Sequence, residues 1–182
     1  SKNLASPKAS KKPHEIITHN HHRTDNYFWL NQREDQEVIA YLNEENEYLE
    51  TVMQPVKELR NTLFEEMKGR IKKDDESVPY KEGNYMYYTK YIKGGEYPVY
   101  CRKKINTENE EIIIDGNELG KDKAYFHLGG LEISDNEEMA IFAIDIVGRR
   151  NYTLQVKNLV SGEVYTDQVE NTEGGNYAWA TR

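Results

Sequence analysis

Met139-Ala-Ile-Phe-Ala-Ile-Asp145, then Gly148-Arg-Arg-Asn151, then Tyr152-Thr-Leu-Gln-Val-Lys-Asn-Leu159: two short runs rich in β-branched and aromatic residues, parted by a turn-forming glycine, predict an antiparallel strand pair. Beyond them, Ser161-Gly162 and Gly174-Gly175 separate further runs at Val164–Val169 and Tyr177–Ala180, completing a set of four strands. An earlier set of the same kind spans Tyr85–Tyr91, Tyr97–Lys103, Glu111–Asp115 and Tyr125–Leu131, broken by Gly94-Gly95, an Asn/Glu loop and Gly116-Asn117. Laid over one another, Gly94 matches Gly148 at an offset of 54, Tyr97 matches Tyr152 at 55, Glu111 matches Val164 at 53 and Tyr125 matches Tyr177 at 52. Offsets that drift about one value predict a repeated four-stranded unit, and propeller blades run to about 40–50 residues. An ordinary antiparallel sandwich with evenly spaced hairpins is the competing arrangement. Propellers close with about four to eight blades, so two blades leave apolar faces uncovered, and the spacing predicts part of something larger.

Upstream of these strands the period changes. Between Asp35 and Met53, Val38, Ile39, Leu42, Leu49, Val52 and Met53 follow helical spacing, with Glu34, Glu37, Glu44, Glu45 and Glu47 on other faces. Pro55 marks a break, after which Val56, Leu59, Leu63, Phe64 and Met67 repeat the pattern up to Gly69. The acidic run reads as a solvated helix face. Residues 1–26, with four lysines among the first twelve positions and almost nothing apolar, read as an extended arm. Its end, Asp25-Asn-Tyr27-Phe-Trp29-Leu30, is the densest aromatic cluster in the chain and reads as a docking segment. The charged stretch Arg70-Ile-Lys72-Lys-Asp74-Asp75-Glu-Ser77 separates the helices from the strands. The predicted organisation is therefore 1–69 helical arm, 70–77 linker and 78–182 two blades: mainly β with N-terminal helices.

Composition narrows the function. The 182 residues hold 24 Lys+Arg against 32 Asp+Glu, a net charge of −8, which argues against nucleic acid as the main partner. Fourteen tyrosines in a chain only 37% hydrophobic mean that the core is partly phenolic, and such residues favour strands. The single cysteine, Cys101, lies in a strand-like run and reads as a buried, inert thiol. No apolar stretch approaches the roughly 18 residues of a membrane span and no signal-peptide core stands at the start, so no membrane partner is expected. The expected location is the cytoplasm, with export left open because the chain starts at Ser1.

No catalytic constellation emerges from the residues. Gly-x-Ser-x-Gly, Walker A, Gly-x-Gly-x-x-Gly, His-Glu-x-x-His and Cys-x-x-Cys are all absent, and none of the six serines stands in a nucleophile-elbow context. His19, His21 and His22 lack a fourth ligand or a cysteine at suitable spacing and read as solvated, so neither a metal nor another cofactor is expected. His127, between Phe126 and Leu128, reads as a structural imidazole. The pairs Asp74-Asp75 and Glu137-Glu138 are adjacent surface acids with nothing to split their pKa values. Asn151-Tyr-Thr153 fits a glycosylation sequon by chance.

One colinear series of segments nevertheless resembles a known family. Asp25-Asn-Tyr27-Phe-Trp29-Leu30, Val38-Ile-Ala-Tyr-Leu-Asn-Glu-Glu-Asn46, Met67-Lys-Gly-Arg-Ile71 and Ser77-Val-Pro79 are similar to the start of the prolyl oligopeptidase family of serine peptidases, in its oligopeptidase B (protease II) branch. The series continues through Gly83-Asn-Tyr-Met-Tyr-Tyr-Thr89, Glu96-Tyr-Pro98, Cys101-Arg102, Ile112-Ile-Ile-Asp115, Asn117-Glu-Leu119, Ile133-Ser-Asp135, Asp145 and Tyr152-Thr-Leu154. The resemblance implies an α/β-hydrolase domain with a Ser-Asp-His triad, capped by a seven-bladed propeller that follows an N-terminal helical arm. It implies cleavage of short peptides, in this branch after Arg or Lys. No triad or specificity residue of the family has a matching position here, so the chain is expected to be an N-terminal, non-catalytic part of such an enzyme.

On that resemblance, Tyr27, Trp29 and Leu30 would anchor the arm on the hydrolase domain. Arg70, Ile71, Lys72, Lys73, Asp74 and Asp75 would form a hinge, and the blades would filter substrates sterically. Isolated, the chain would associate with itself through exposed blade faces. The alternative is a stand-alone binding or scaffolding module without catalysis.

Overall fold

A computed structural model describes residues 5–180. The chain divides into two compact units, Ser1–Ile71 and Lys72–Arg182.

The first unit opens with an antiparallel hairpin, β1 (His14–Thr18) and β2 (His21–Asp25), where an extended arm was expected. Its two-residue turn, His19-Asn20, has φ of 50° and 62°, the left-handed pair that lets a tight hairpin follow the strand twist. The hairpin leads into a 3-10 turn (Phe28–Asn31). Helix α1 (Gln36–Met53) follows, its N-terminus capped by Asp35, whose carboxylate accepts the Glu37 N–H at 2.8 Å. A short 3-10 segment carrying Pro55 then hands over to α2 (Lys57–Gly69), because proline suits a helix start and interrupts a continuing one. Val38 is buried in this unit, whereas Leu42, Leu49, Leu59, Leu63, Phe64 and Met67 stay exposed.

The second unit holds two antiparallel sheets. The first orders its strands β3 (Asp75–Glu76), β5 (Tyr85–Tyr91), β6 (Val99–Lys104), β7 (Glu110–Asp115), with β4 (Tyr80–Glu82) also paired to β5. The second runs β11 (Val169–Thr172), β10 (Tyr152–Asn158), β9 (Met139–Asp145), β8 (His127–Ile133). They meet across a shared core of Tyr87, Ile113 and Ile114 from the first sheet with Leu128, Ala140 and Phe142 from the second, and Phe126 between them. Tyrosines fill its margin, as the composition required: Tyr85, Tyr97 and Tyr100 pack against it.

The repeat is real, but it begins one strand earlier than its sequence spacing suggested. The strand expected at Tyr125–Leu131 lies at His127–Ile133 and pairs with β9, so it opens the second sheet and does not close the first. The first sheet ends at Asp115, whose carboxylate caps a one-turn helix α3 (Gly116–Gly120) by accepting the Asn117 N–H at 2.8 Å. The Asn117 side chain in turn accepts the Glu96 and Tyr97 N–H groups, each at 2.9 Å, and Gly116-Asn117 is therefore not a hairpin turn. Corresponding strands now start at Tyr85 and Met139, and at Val99 and Tyr152, offsets of 54 and 53. Val164–Val169 is not a strand: Val164 makes an isolated bridge to Lys157, and β11 begins only at Val169. Nor is Tyr177–Ala180, which runs against β8 where Gly129 and Gly130 leave room for Gly174, Gly175 and Tyr177.

Candidate functional site

Two cationic side chains tie the sheets of the second unit together. Arg102 on β6 is only 3% exposed, yet it is fully engaged. Its Nε donates to Glu111 at 2.7 Å, its Nη1 donates to the Glu137 carbonyl at 2.6 Å, and its guanidinium sits 4.0 Å from the Tyr85 ring centroid. The Glu137 carboxylate reaches the other way, accepting the Asn84 backbone N–H at 2.6 Å and the Asn84 amide at 3.0 Å. These bonds hold the Glu137 carboxyl below its usual range. Gly83 has φ 54°, the left-handed region that favours glycine, and a Cβ there would displace that carboxylate from Asn84.

On β10, Lys157 extends to the first sheet and donates to the Ile113 carbonyl at 2.7 Å. The register of β6 with β7 skips Ile113, so this carbonyl is a bulge group that the lysine satisfies. Burial without a carboxylate partner lowers the Lys157 pKa. Neither cation was singled out by sequence, although Arg102 stood beside Cys101 in a strand of alternating large residues.

Asp145 organises the turn after β9. At 1% exposure, it accepts the Val147 and Gly148 N–H groups at 2.8 and 2.9 Å through Oδ1 and the Arg150 N–H at 2.8 Å through Oδ2. Burial pushes this carboxyl up, but the backbone donors outweigh burial and hold it below the usual range. Cys101 is buried, and burial pushes its thiol up to about 11. His127 is exposed, with its Nδ1 2.9 Å from the Tyr152 hydroxyl. His22 stands 3.2 Å from Glu15 across the hairpin.

The expected docking residues are dissimilar. Tyr27 is exposed and its N–H is held by Asp25 at 2.8 Å. Trp29 is engaged inside the arm: its Nε1 donates to the Ser10 carbonyl at 2.9 Å, Lys12 lies 4.5 Å from its ring, and Tyr41 meets it edge-on at 6.4 Å. Leu30 is half-buried. Of the expected hinge, Arg70 pairs with Glu66 on the helix, and Lys72 reaches Asp75 at 2.9 Å. Asp75 already pairs with Tyr91 as part of β3, so the irregular stretch is 70–74.

Residues 7–182 match the sequence profile of the prolyl oligopeptidase N-terminal beta-propeller domain. Dipeptidyl aminopeptidase BI of Pseudoxanthomonas mexicana is 39% identical over 96% of the chain and 27% of its own length. Oligopeptidase B from Leishmania major superposes with a TM-score of 0.85 at 30% identity, over 96% of this chain and 27% of that one. Oligopeptidase B from Trypanosoma brucei, in a closed form with covalently bound antipain, gives 0.80 at 28% identity, over 93% and 26%. The chain thus spans about a quarter of the length of the relatives it matches. A paired-sheet core reached through a helical arm, colinear with those enzymes from residue 7 onward, assigns the chain to the prolyl oligopeptidase family, within the family's N-terminal β-propeller domain.

Proposed function

We propose that this chain is the lid portion of a serine oligopeptidase that cleaves short peptides after Arg or Lys, and that it gates access to a hydrolase domain carried by the same protein. The observation that carries the reading is the match of arm, connector and both sheets to oligopeptidase B over 96% of the chain. In this reading the helical arm docks on the hydrolase domain. Tyr27 and the exposed apolar residues of α1 and α2, Leu59, Leu63, Phe64 and Met67 among them, supply the contact. Trp29 and Leu30 stiffen the arm behind that contact. Exposed apolar residues of the sheet unit, Ile112, Val147 and Val169 among them, would make the isolated chain associate with itself, which sedimentation velocity reads.

Residues 70–74 act as the hinge, because an irregular charged connector absorbs backbone change that a paired strand resists. Asp75 belongs to the moving lid. The sheets, clasped by Arg102 and Lys157, move as one piece and keep folded proteins from the nucleophile. A second reading has its own support: the 39% identical relative is named a dipeptidyl aminopeptidase. Product mapping on the full-length enzyme separates the two. Internal cleavage after Arg or Lys in short peptides supports the first reading, whereas stepwise release of N-terminal dipeptides regardless of basic residues replaces it with the second.

A further inference from the structure

From the end of α2 to the start of β5 the chain stays at the surface. Every residue from Gly69 to Asn84 is exposed, Ile71 by 68% and Val78 by 88%. Lys72 and Lys73, the first residues of the second unit, stand at its least anchored point. They follow the last bond of the helix end, from the Ile71 N–H to the Lys68 carbonyl at 3.2 Å, and precede the first strand pairing at Asp75. Among the described residues neither lysine N–H donates a hydrogen bond. Their side chains are free to move as well. Lys72 reaches Asp75 in an exposed pair, a contact that contributes little, and Lys73 has no ion-pair partner among the described residues. Cations in other loops are held by their backbone. Lys93 lies in a turn closed by the Gly95 N–H on the Ile92 carbonyl, the Lys121 and Lys123 N–H groups donate to Glu118 and Gly120, and that of Arg150 donates to Asp145.

A trypsin-type endopeptidase takes its substrate as an extended strand, pairs with the strand's main chain, and seats a Lys or Arg side chain in a pocket. Such a substrate needs unpaired backbone donors and a cation that can leave its surroundings, and Lys72-Lys73 supplies both. We propose that the bond after Lys72 or Lys73 is a processing site at which a Lys/Arg-specific endopeptidase detaches the helical arm from the sheets. Water adds at the lysine carbonyl carbon, the C–N bond breaks, the lysine keeps the new carboxylate and the next residue takes the proton on its new amine. The two products differ in what holds them. The sheet unit keeps Tyr87, Ile113, Phe126 and Phe142 together with the Arg102 clasp, whereas Val38 is the buried apolar residue of the arm among those described. Cutting therefore leaves a folded sheet unit and an arm open to further digestion. The site stands whichever peptides the parent enzyme cleaves. Its assignment to a separate peptidase rests on the lid reading above, in which folded proteins do not reach the enzyme's own nucleophile.

Limited digestion of the 182-residue chain with trypsin, followed by intact-mass measurement, tests the site. Beyond trimming of the first dozen residues, the first cut should fall after Lys72 or Lys73 and leave a resistant fragment that ends at Arg182. The double variant Lys72→Gln/Lys73→Gln should slow separation of the arm at least about tenfold, because the remaining bonds must wait for local opening. Lys93→Gln/Lys121→Gln should leave the rate unchanged. A first cut within a strand or one of those turns, or an unchanged rate in the connector variant, overturns the site. The full-length enzyme should be cut at the same bond, and resistance there overturns its role in processing. Incubated without trypsin, the full-length enzyme should stay intact; cutting after Lys72 or Lys73 by a second copy overturns the separate peptidase, and the steric filter with it, while the site remains.

Discussion

Replacing Arg102 with methionine tests whether the sheets are clasped as described. The substitution keeps most of the stem's packing and removes the guanidinium. Lost are a charged hydrogen bond to Glu111, a second to the Glu137 carbonyl, and the contact with the Tyr85 ring. A hydrogen bond to a charged group contributes about 1.5–3 kcal/mol when buried. The Glu111 side chain is 45% exposed, so that bond belongs near or below the low end. The ring contact adds about 0.5–1 kcal/mol. Allowing for water to reach Glu111 in the variant, the net loss is about 3 kcal/mol, or roughly 10 °C in Tm for a unit of this size. Thermal and urea unfolding followed by circular dichroism would read it, with Arg149→Met in the exposed turn as the control. A loss below about 1 kcal/mol, or one no larger than the control's, would refute the claim that Arg102 joins the sheets.

Other consequences follow from single groups. Because the Asp145 carboxyl is held below its usual range, its stabilisation is present above the unfolded value near pH 4 and fades as the pH falls through the folded one. Asp145→Asn should therefore lower stability at neutral pH, and the gap from the wild type should close on acidification; a gap that stays constant down to about pH 2 contradicts this. Lys157 has the same sign in an alkaline window. With its folded pKa lowered, the folded state binds fewer protons than the unfolded chain at mildly alkaline pH, so the wild type should gain stability relative to Lys157→Met as the pH rises toward about 10. A flat difference over that range would show that the amine is not desolvated. A side chain at Gly130 would collide with the Gly175 carbonyl and the Tyr177 ring, so Gly130→Ala should cost about 1–3 kcal/mol and release residues 173–180 from β8. Hydrogen exchange would register that release, and unchanged protection would sink it.

Much of this architecture is legible in the sequence, where local chemistry decides it. β5 and β9 coincide with Tyr85–Tyr91 and Met139–Asp145 as expected, because each is a short apolar run bounded by turn residues. Helix α1 starts one residue after Asp35 for the same kind of reason: the cap is a property of that side chain. What sequence could not supply is which strand pairs with which. β8 looks the same whether it closes one sheet or opens the next, and the difference rests on α3, which Asp115 caps locally and Asn117 ties to Glu96 and Tyr97 about 20 residues away. The hairpin in the arm carried a readable sign, Asn20 at a left-handed position, which the neighbouring histidines obscured. The clasp was hidden more thoroughly, since Arg102 meets the Glu137 carbonyl 35 positions away and Lys157 meets that of Ile113 at 44. Long-range polar contacts of this kind leave no periodic trace. The connector shows the same division: its charge marked 70–77, while only pairing with Tyr91 reveals that Asp75 belongs to the sheet.

The central claim is that the two sheets form a lid that must part from a catalytic domain by bending at residues 70–74. A reducible cross-link tying α2 to the first sheet across that connector, installed in the full-length enzyme, tests it most directly. Turnover of a short Arg-containing peptide should fall severalfold in the oxidised enzyme and return on reduction, with thermal stability undiminished. Unchanged turnover with the cross-link fully formed would contradict the account.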